Sequence, residues 1–285
     1  MELFKSFAVV GAGTIGLPII NALAARSVSV VLLSRPGSPP KALPPGVKVV
    51  HVDYNNATSV SEVLKQHRID VVLSTVAIPG LAGQTSLVDA AKLAGVRLFS
   101  PSEYATPTDS QPPGTDNPFG GTGTKDRIAK YLQSVGLPSM RVFTGPFTEG
   151  IPRLLGYAGH GKIVVVGKGE APVSFTAVPD IAGFVAYVLT SLPPSELQDR
   201  ILRLEGERTS LNDLGVQLNI PVMHVDRIEG DEFKTGLLKL LDSGAGSTGW
   251  DEENQREKTG SDAAGSANAL WPGHKWKSIR EVLNL

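Results

Sequence analysis

Three glycines near the N-terminus, Gly11, Gly13 and Gly16, stand in the spacing G-x-G-x-x-G. Each has a chemical use in that pattern. The first lets the chain turn sharply, the second lets main chain approach a diphosphate, and the third lets a helix pack against a sheet. A helix starting at this turn offers unpaired N–H groups and a partial positive charge to the same anion. About twenty residues further on, NAD sites place an Asp or Glu to accept the ribose hydroxyls. This chain reads Ser34-Arg35-Pro36 there, with Lys41 on the same loop. A guanidinium can grip a phosphate by two parallel bonds and stack on an adenine face, so the pattern points to NADP(H). The tyrosines are Tyr54, Tyr104, Tyr131, Tyr157 and Tyr187, and none has a lysine four positions later. The Tyr-x-x-x-Lys pair of ordinary short-chain dehydrogenases is therefore absent. With no cysteine, disulfides and thiol catalysis are excluded, and no metal site is expected.

Elements must position these groups, and the apolar pattern supplies them. Residues 7–10 form a continuous apolar strand before the glycine turn, and 15–25 a helix with Ile15, Ile19 and Leu23 on one face. Further strands are predicted over 28–33, 47–52, 69–76, 96–100 and 139–143, with helices over 59–67, 84–94 and 125–135. Residues 36–45 are a proline-rich loop. Residues 106–123, rich in Pro, Gly, Thr and Asp, form a long loop of the kind that is often functional. The alternation predicts an α/β Rossmann fold, a doubly wound parallel sheet in the order 3-2-1-4-5-6.

The second half loses this rhythm. Short strands are expected over 162–166, 173–176, 200–204 and 222–228, with helices over 179–189, 210–218, 231–241 and 274–285. Residues 243–269 are mostly Gly, Ser, Asp, Glu and Ala, which predicts a mobile segment or partial lid. The division expected is an NADP-binding domain over 1–150 and a smaller α/β substrate-binding region over 151–285, with strands inserted in or packed on the main sheet.

The chain has 285 residues, 41% hydrophobic and 19% charged, with a net charge of −1. That composition gives nucleic acid or an anionic membrane no basic field to bind. No apolar stretch approaches the ~18 residues of a spanning helix, and no secretory leader is evident, so a cytoplasmic protein is expected.

Further segments carry a resemblance. They are Ser74-Thr75-Val76-Ala77 after the fourth strand, Phe99-Ser-Pro-Ser-Glu-Tyr104 after the fifth, Lys125 opening the next helix, and Thr144-Gly145-Pro146-Phe147 after the sixth. In this order they resemble the NmrA-like family of atypical short-chain dehydrogenases. That family includes isoflavone, pinoresinol-type and phenylcoumaran benzylic ether reductases and redox-sensing regulators. The resemblance covers roughly residues 5–190, and its most specific element is the Pro101-Ser102-Glu103-aromatic block followed by the helix lysine.

The resemblance implies that Gly11, Gly13, Thr14, Ile15 and Gly16 line the pyrophosphate, and that Ser34, Arg35 and Lys41 hold the 2′-phosphate. Asp53 falls where relatives place an acid near adenine, though a turn carboxylate before Asn55-Asn56 is an equal reading. Thr75, Val76, Ala77, Pro101 and Ser102 would run beside the ribose and nicotinamide, and Thr144 to Phe147 under the nicotinamide ring. Lys125 is the implied general acid/base or cofactor-orienting group, with Tyr104 second. Glu103 is expected to fix its turn through backbone N–H groups.

Phe147, Ile151, Leu154, Leu155 and Tyr157 are expected in a pocket wall suited to a flat apolar substrate. Trp271 and Trp276 are expected to pack the closing helix. Two functions stay open at this point. One is an NADPH-dependent reductase of a small apolar or aromatic substrate; the other is a dinucleotide-sensing regulator with a protein partner. A homodimer is equally open.

Overall fold

The structure is a computed structural model that describes residues 2–110 and 122–285. By contacts the chain divides into two compact units. One comprises Met1–Glu103, Thr124–Arg141 and Ala182–Ile201, the other Tyr104–Gly123, Val142–Ile181 and Leu202–Leu285.

In the first unit, β1 (Ser6–Val10), β2 (Ser29–Ser34), β3 (Lys48–His51), β4 (Val71–Ser74) and β5 (Leu98–Ser100) form a parallel sheet in the order β3-β2-β1-β4-β5. The central strand β1 pairs with β2 from Ser6↔Ser29 to Val10↔Leu33 and with β4 from Phe7↔Val71 to Val10↔Ser74. Every residue of β1 is buried, because both faces of a parallel sheet are covered. One face buries Ala8, Val10, Val31 and Leu33 with Leu64 of α2 (Ala57–Gln66), Val88 of α3 (Gln84–Ala94) and Leu132 of α4 (Thr122–Ser134). On α1 (Gly16–Ala24), Ile19, Ile20 and Leu23 are fully buried, as the helical spacing predicts. Gly95 closes α3 with φ +74°, the left-handed turn that favours glycine.

The sixth strand departs from expectation. β6 (Met140–Phe143) is not a full member of the sheet: a single parallel bridge, Phe99↔Ser139, joins its start to β5. Its ladder partner is β9 (Arg200–Arg203). Only three residues of β5 are strand, too few to carry a full ladder on its outer edge.

The second unit contains α5 (Ile151–Leu154), α6 (Tyr157–His160), β7 (Ile163–Val166), β8 (Val173–Phe175), β10 (Glu207–Thr209), α8 (Leu211–Leu218), β11 (Val222–Val225), α9 (Glu232–Leu240), β12 (Trp250–Asp251), β13 (Arg256–Glu257) and α10 (Ile279–Leu283). β7 pairs with β11 in parallel, and β8 with β10 antiparallel. Its core gathers Ile163, Val165, Phe175, Leu214, Leu238 and Ile279. The helix α7 (Val178–Ser191) begins in this unit and ends in the first.

Within 243–269, residues 244–249 are buried, Ser247 and Thr248 fully, whereas 253–256 and 259–262 are exposed. Arg203 donates to the Thr248 carbonyl and pairs with Asp109, which Lys258 also contacts at 2.7 Å. Polar partners distant in sequence do for this segment what apolar burial does elsewhere. The closing helix is shorter than the expected 274–285. Trp271 and His274 stack at 3.6 Å before it, and the helix starts only at Ile279, after the capping box of Ser278 and Glu281. Of the loop expected over 106–123, residues 111–121 lie outside the described residues.

Candidate active site

At the end of β1 the chain enters Gly11 with φ +90°, a conformation open to glycine and strained for other residues. The turn is tied from both sides. The Gly11 N–H donates to the Leu33 carbonyl at 3.0 Å, and Thr75 Oγ1 donates to the carbonyls of Val10 and Gly11 at 2.9 and 3.0 Å. A Cβ at Gly16 would run into the Gly11 carbonyl oxygen and Thr75 Oγ1, whereas nothing lies within 4 Å of a Cβ at Gly13. Gly16 is thus the packing glycine, and Gly13 faces open space.

The start of α1 at Gly16 has no capping side chain and no acid in its first turn. By contrast, α2, α8, α9 and α10 are each capped, by Asn56, Ser210, Asp231 and Ser278. Uncapped helix donors beside an open glycine fit a diphosphate. Thr14 is exposed there, while the Ile15 side chain is buried.

Ser34 ends β2, its carbonyl accepting from Val52 at 2.9 Å. Arg35 is exposed at the head of a turn whose Ser38 N–H donates to its carbonyl at 3.1 Å. Tyr54 donates its hydroxyl to the Leu33 carbonyl at 2.8 Å; burial pushes its phenol up to about 12 while the Arg35 charge pulls the other way. Arg35 and Lys41 are thus solvated cations on the loops at this strand end. Asp53 accepts from Asn55 N and Nδ2 at 3.0 and 3.2 Å, and so makes the turn that leads to the Asn56 cap. Here the geometry matches the turn carboxylate.

The other strand ends are equally constrained. Thr75 spends its hydroxyl on the glycine turn. Val76 offers its carbonyl to Ser102 Oγ at 2.8 Å, and Ala77 is exposed. Pro101 and Ser102 are buried, and Ser102 N–H donates to Oε1 of the fully buried Gln84 at 2.9 Å. Gln84 was not among the sequence candidates, because a glutamine opening a predicted helix gives no sign of burial.

Glu103 has a charged partner that the sequence reading did not name. Its carboxylate, 1% exposed, pairs with Nε of Arg141 at 2.9 Å. Its carbonyl accepts from Lys125 Nζ at 2.9 Å. Lys125 lies in the first turns of α4 with 7% exposure. Burial holds its ammonium below the ordinary lysine range; the Glu103 charge opposes that shift and the Arg141 charge adds to it. Arg141, also missed, had a legible signal: a charged residue amid the apolar run of β6.

In the second unit, Tyr104 is buried. The Ala105 carbonyl accepts from both Thr144 and Gly145 N–H groups, at 3.0 and 3.1 Å. Gly145 has φ +62°, and a Cβ there would run into the Ser174 carbonyl. The Pro146 carbonyl accepts from Thr176 at 3.2 Å, and Phe147 bridges to Thr176. Thr144 to Phe147 is therefore a fixed strand end with Phe147 half-buried. Ile151 and Leu155, expected in a pocket wall, are fully buried core residues, with Leu154 and Tyr157 packed against that core.

The profile of the NAD(P)H-binding family matches residues 11–191. An oxidoreductase of Aspergillus flavus is 30% identical over 255 residues, covering 83% of this chain and 81% of that one. A phenylcoumaran benzylic ether reductase of Ginkgo biloba is 28% identical over 222 residues, covering 72% and 71%. Among solved structures, the leucoanthocyanidin reductase–NADPH complex of Vitis vinifera superposes with a TM-score of 0.75 at 18% identity, over 98% of both chains.

Proposed function

This chain belongs to the NAD(P)H-binding family, and from that premise we propose that it is an NADPH-dependent reductase. Its substrate would be small and apolar or aromatic: a carbonyl, a quinone or a benzylic ether. The observation that carries the reading is a buried lysine fixed on the Glu103 carbonyl, in the same unit as the glycine turn. Gly11, Gly13, Thr14, Ile15 and Gly16 would hold the pyrophosphate, and Ser34, Arg35 and Lys41 the 2′-phosphate. Thr75, Val76, Ala77, Pro101 and Ser102 would flank the riboses, and Thr144, Gly145, Pro146 and Phe147 the nicotinamide. Bound NADPH supplies a hydride to the substrate.

Lys125 supplies the proton that balances the hydride: to the oxygen of a carbonyl or quinone, or to the oxygen released when the benzylic C–O bond of an ether breaks. A buried ammonium gives up a proton more readily than a solvated one, because the neutral amine is the form that burial favours. The glycine turn fixes position and Arg35 selects the phosphorylated dinucleotide. The benzylic ether in the Ginkgo relative's name supports an aromatic substrate class.

Calorimetry with NADPH and NADH tests the cofactor half. NADPH should bind more tightly, and Arg35→Ala should remove most of that preference; equal affinities in the unchanged protein would overturn it. NADPH oxidation against aromatic aldehydes, quinones and benzylic ethers, with Lys125→Ala as control, tests the chemistry. Tight binding with no turnover of any of them would replace the reductase by a dinucleotide sensor.

A further inference from the structure

We infer that Arg141 is a positioning residue for Lys125: its guanidinium anchors the Glu103 carboxylate and thereby fixes the Glu103 carbonyl on the lysine ammonium. This rests on the reading of Lys125 as the proton donor. Glu103 is one residue facing two cations. Its carboxylate meets Arg141 Nε at 2.9 Å and its carbonyl meets Lys125 Nζ at 2.9 Å. The turn that aims both is closed by the Glu103 N–H on the Pro101 carbonyl. All three side chains are largely withdrawn from water.

Stability does not account for such a pair. Met140, Val142 and Phe143 of the same strand are buried and apolar, and an apolar pair at 103 and 141 would avoid desolvating two charges. Charge accounting supplies another reason. Among the described residues, Lys125, Arg141 and Glu103 sum to +1 when Lys125 is protonated, and loss of the lysine proton removes the repulsion between the two cations. Among the described residues, the charges that act on Lys125 are those of Glu103 on the turn after β5 and Arg141 on β6. On its own helix, Asp126 pairs with Lys130, and Arg127 donates to Thr124.

The two partners therefore push in opposite directions. Titration of lysine Cε resonances in isotope-labelled, cofactor-free protein reads this directly, with Lys125→Met identifying the signal. The wild-type midpoint should lie below that of the exposed lysines. Arg141→Leu should raise it, since the carboxylate is left unbalanced. Glu103→Gln, which keeps the shape, should lower it further. The double variant should return toward wild type. A purely structural pair predicts that both single variants drift upward together as water enters. Shifts in the same direction, or none, would overturn the proposal. Should Arg141→Leu not fold, Arg141→Gln, which removes the charge and keeps a donor, takes its place: an upward midpoint supports the proposal, and a downward or unmoved one overturns it. Opposite shifts in a protein that never oxidises NADPH would keep the charge cluster and discard the reductase reading. In an active protein, Arg141→Leu should move the alkaline limb of the kcat profile upward and lower kcat at neutral pH with KM nearly unchanged.

Discussion

Gly13 and Gly16 are the same residue three positions apart, yet they limit different properties. A Cβ at Gly16 meets the Gly11 carbonyl and Thr75 Oγ1. Gly16→Ala should therefore cost about 1–3 kcal/mol, since backbone and a buried hydroxyl must move. Gly13→Ala meets nothing in the protein, so its Tm should hold while NADPH affinity falls about tenfold or more. Thermal melts with calorimetry separate the two; a Gly13→Ala protein that binds normally would remove Gly13 from the site. Lys125 makes the complementary case. Its pKa in the folded chain is lowered by burial, so the folded state binds fewer protons than the unfolded one between the two pKa values. The stability penalty is full below the folded pKa and vanishes as pH rises through the unfolded one. Lys125→Met should flatten that rise and leave Tm at neutral pH unchanged or higher, while turnover falls by about 10²–10⁴. Wild-type turnover, which needs the ammonium, should fall as pH rises through the folded value. A pH-independent rate would exclude the lysine as donor.

At the scale of elements, legibility followed the range of the forces involved. The apolar runs at Phe7–Val10 and Val30–Leu33 announced buried parallel strands, and Gly95 announced the end of α3 by local conformational preference alone. The pairing of β6 with β9 was not legible, since no periodicity encodes which strand lies alongside. The contacts of 243–269 were illegible for a related reason. They depend on Arg203 and Asp109, which meet across 94 positions of sequence, and on Lys258. The Asp109 carboxyl feels burial pushing its pKa up, but Arg203 and Lys258 outweigh this and hold it below the usual range. Its contribution is thus present above the unfolded pKa and lost as pH falls through the folded one. Arg203→Leu strands this carboxylate beside a single cation and should cost about 3–5 kcal/mol. Limited proteolysis should then cut within 243–269 in the variant and spare the wild type at neutral pH. Equal resistance of both would show that other contacts hold the segment.

At the scale of the molecule, the chain passes repeatedly between its two units, and four elements straddle the division. α4 is cut after Gly123, β6 after Arg141, α7 after Ile181 and β9 after Ile201. Half a strand or half a helix has little stability of its own, because ladder bonds and helical turns form cooperatively. Melting one unit would therefore unravel elements that the other needs, and the chain should unfold in a single transition. Ligand linkage makes this measurable. A cofactor that binds only the native chain stabilises it by about 2.7 kcal/mol at a hundred times its Kd. For a chain of this length unfolding as one body, that corresponds to an upward shift of about 4–5 °C in the whole transition. Calorimetric scans with saturating NADPH should thus move one undivided peak, and NADH at the same concentration should move it less because Arg35 gains no 2′-phosphate. Two peaks, with only one responding to NADPH, would mean that the straddling elements break at the division and that the glycine turn stabilises its own unit alone.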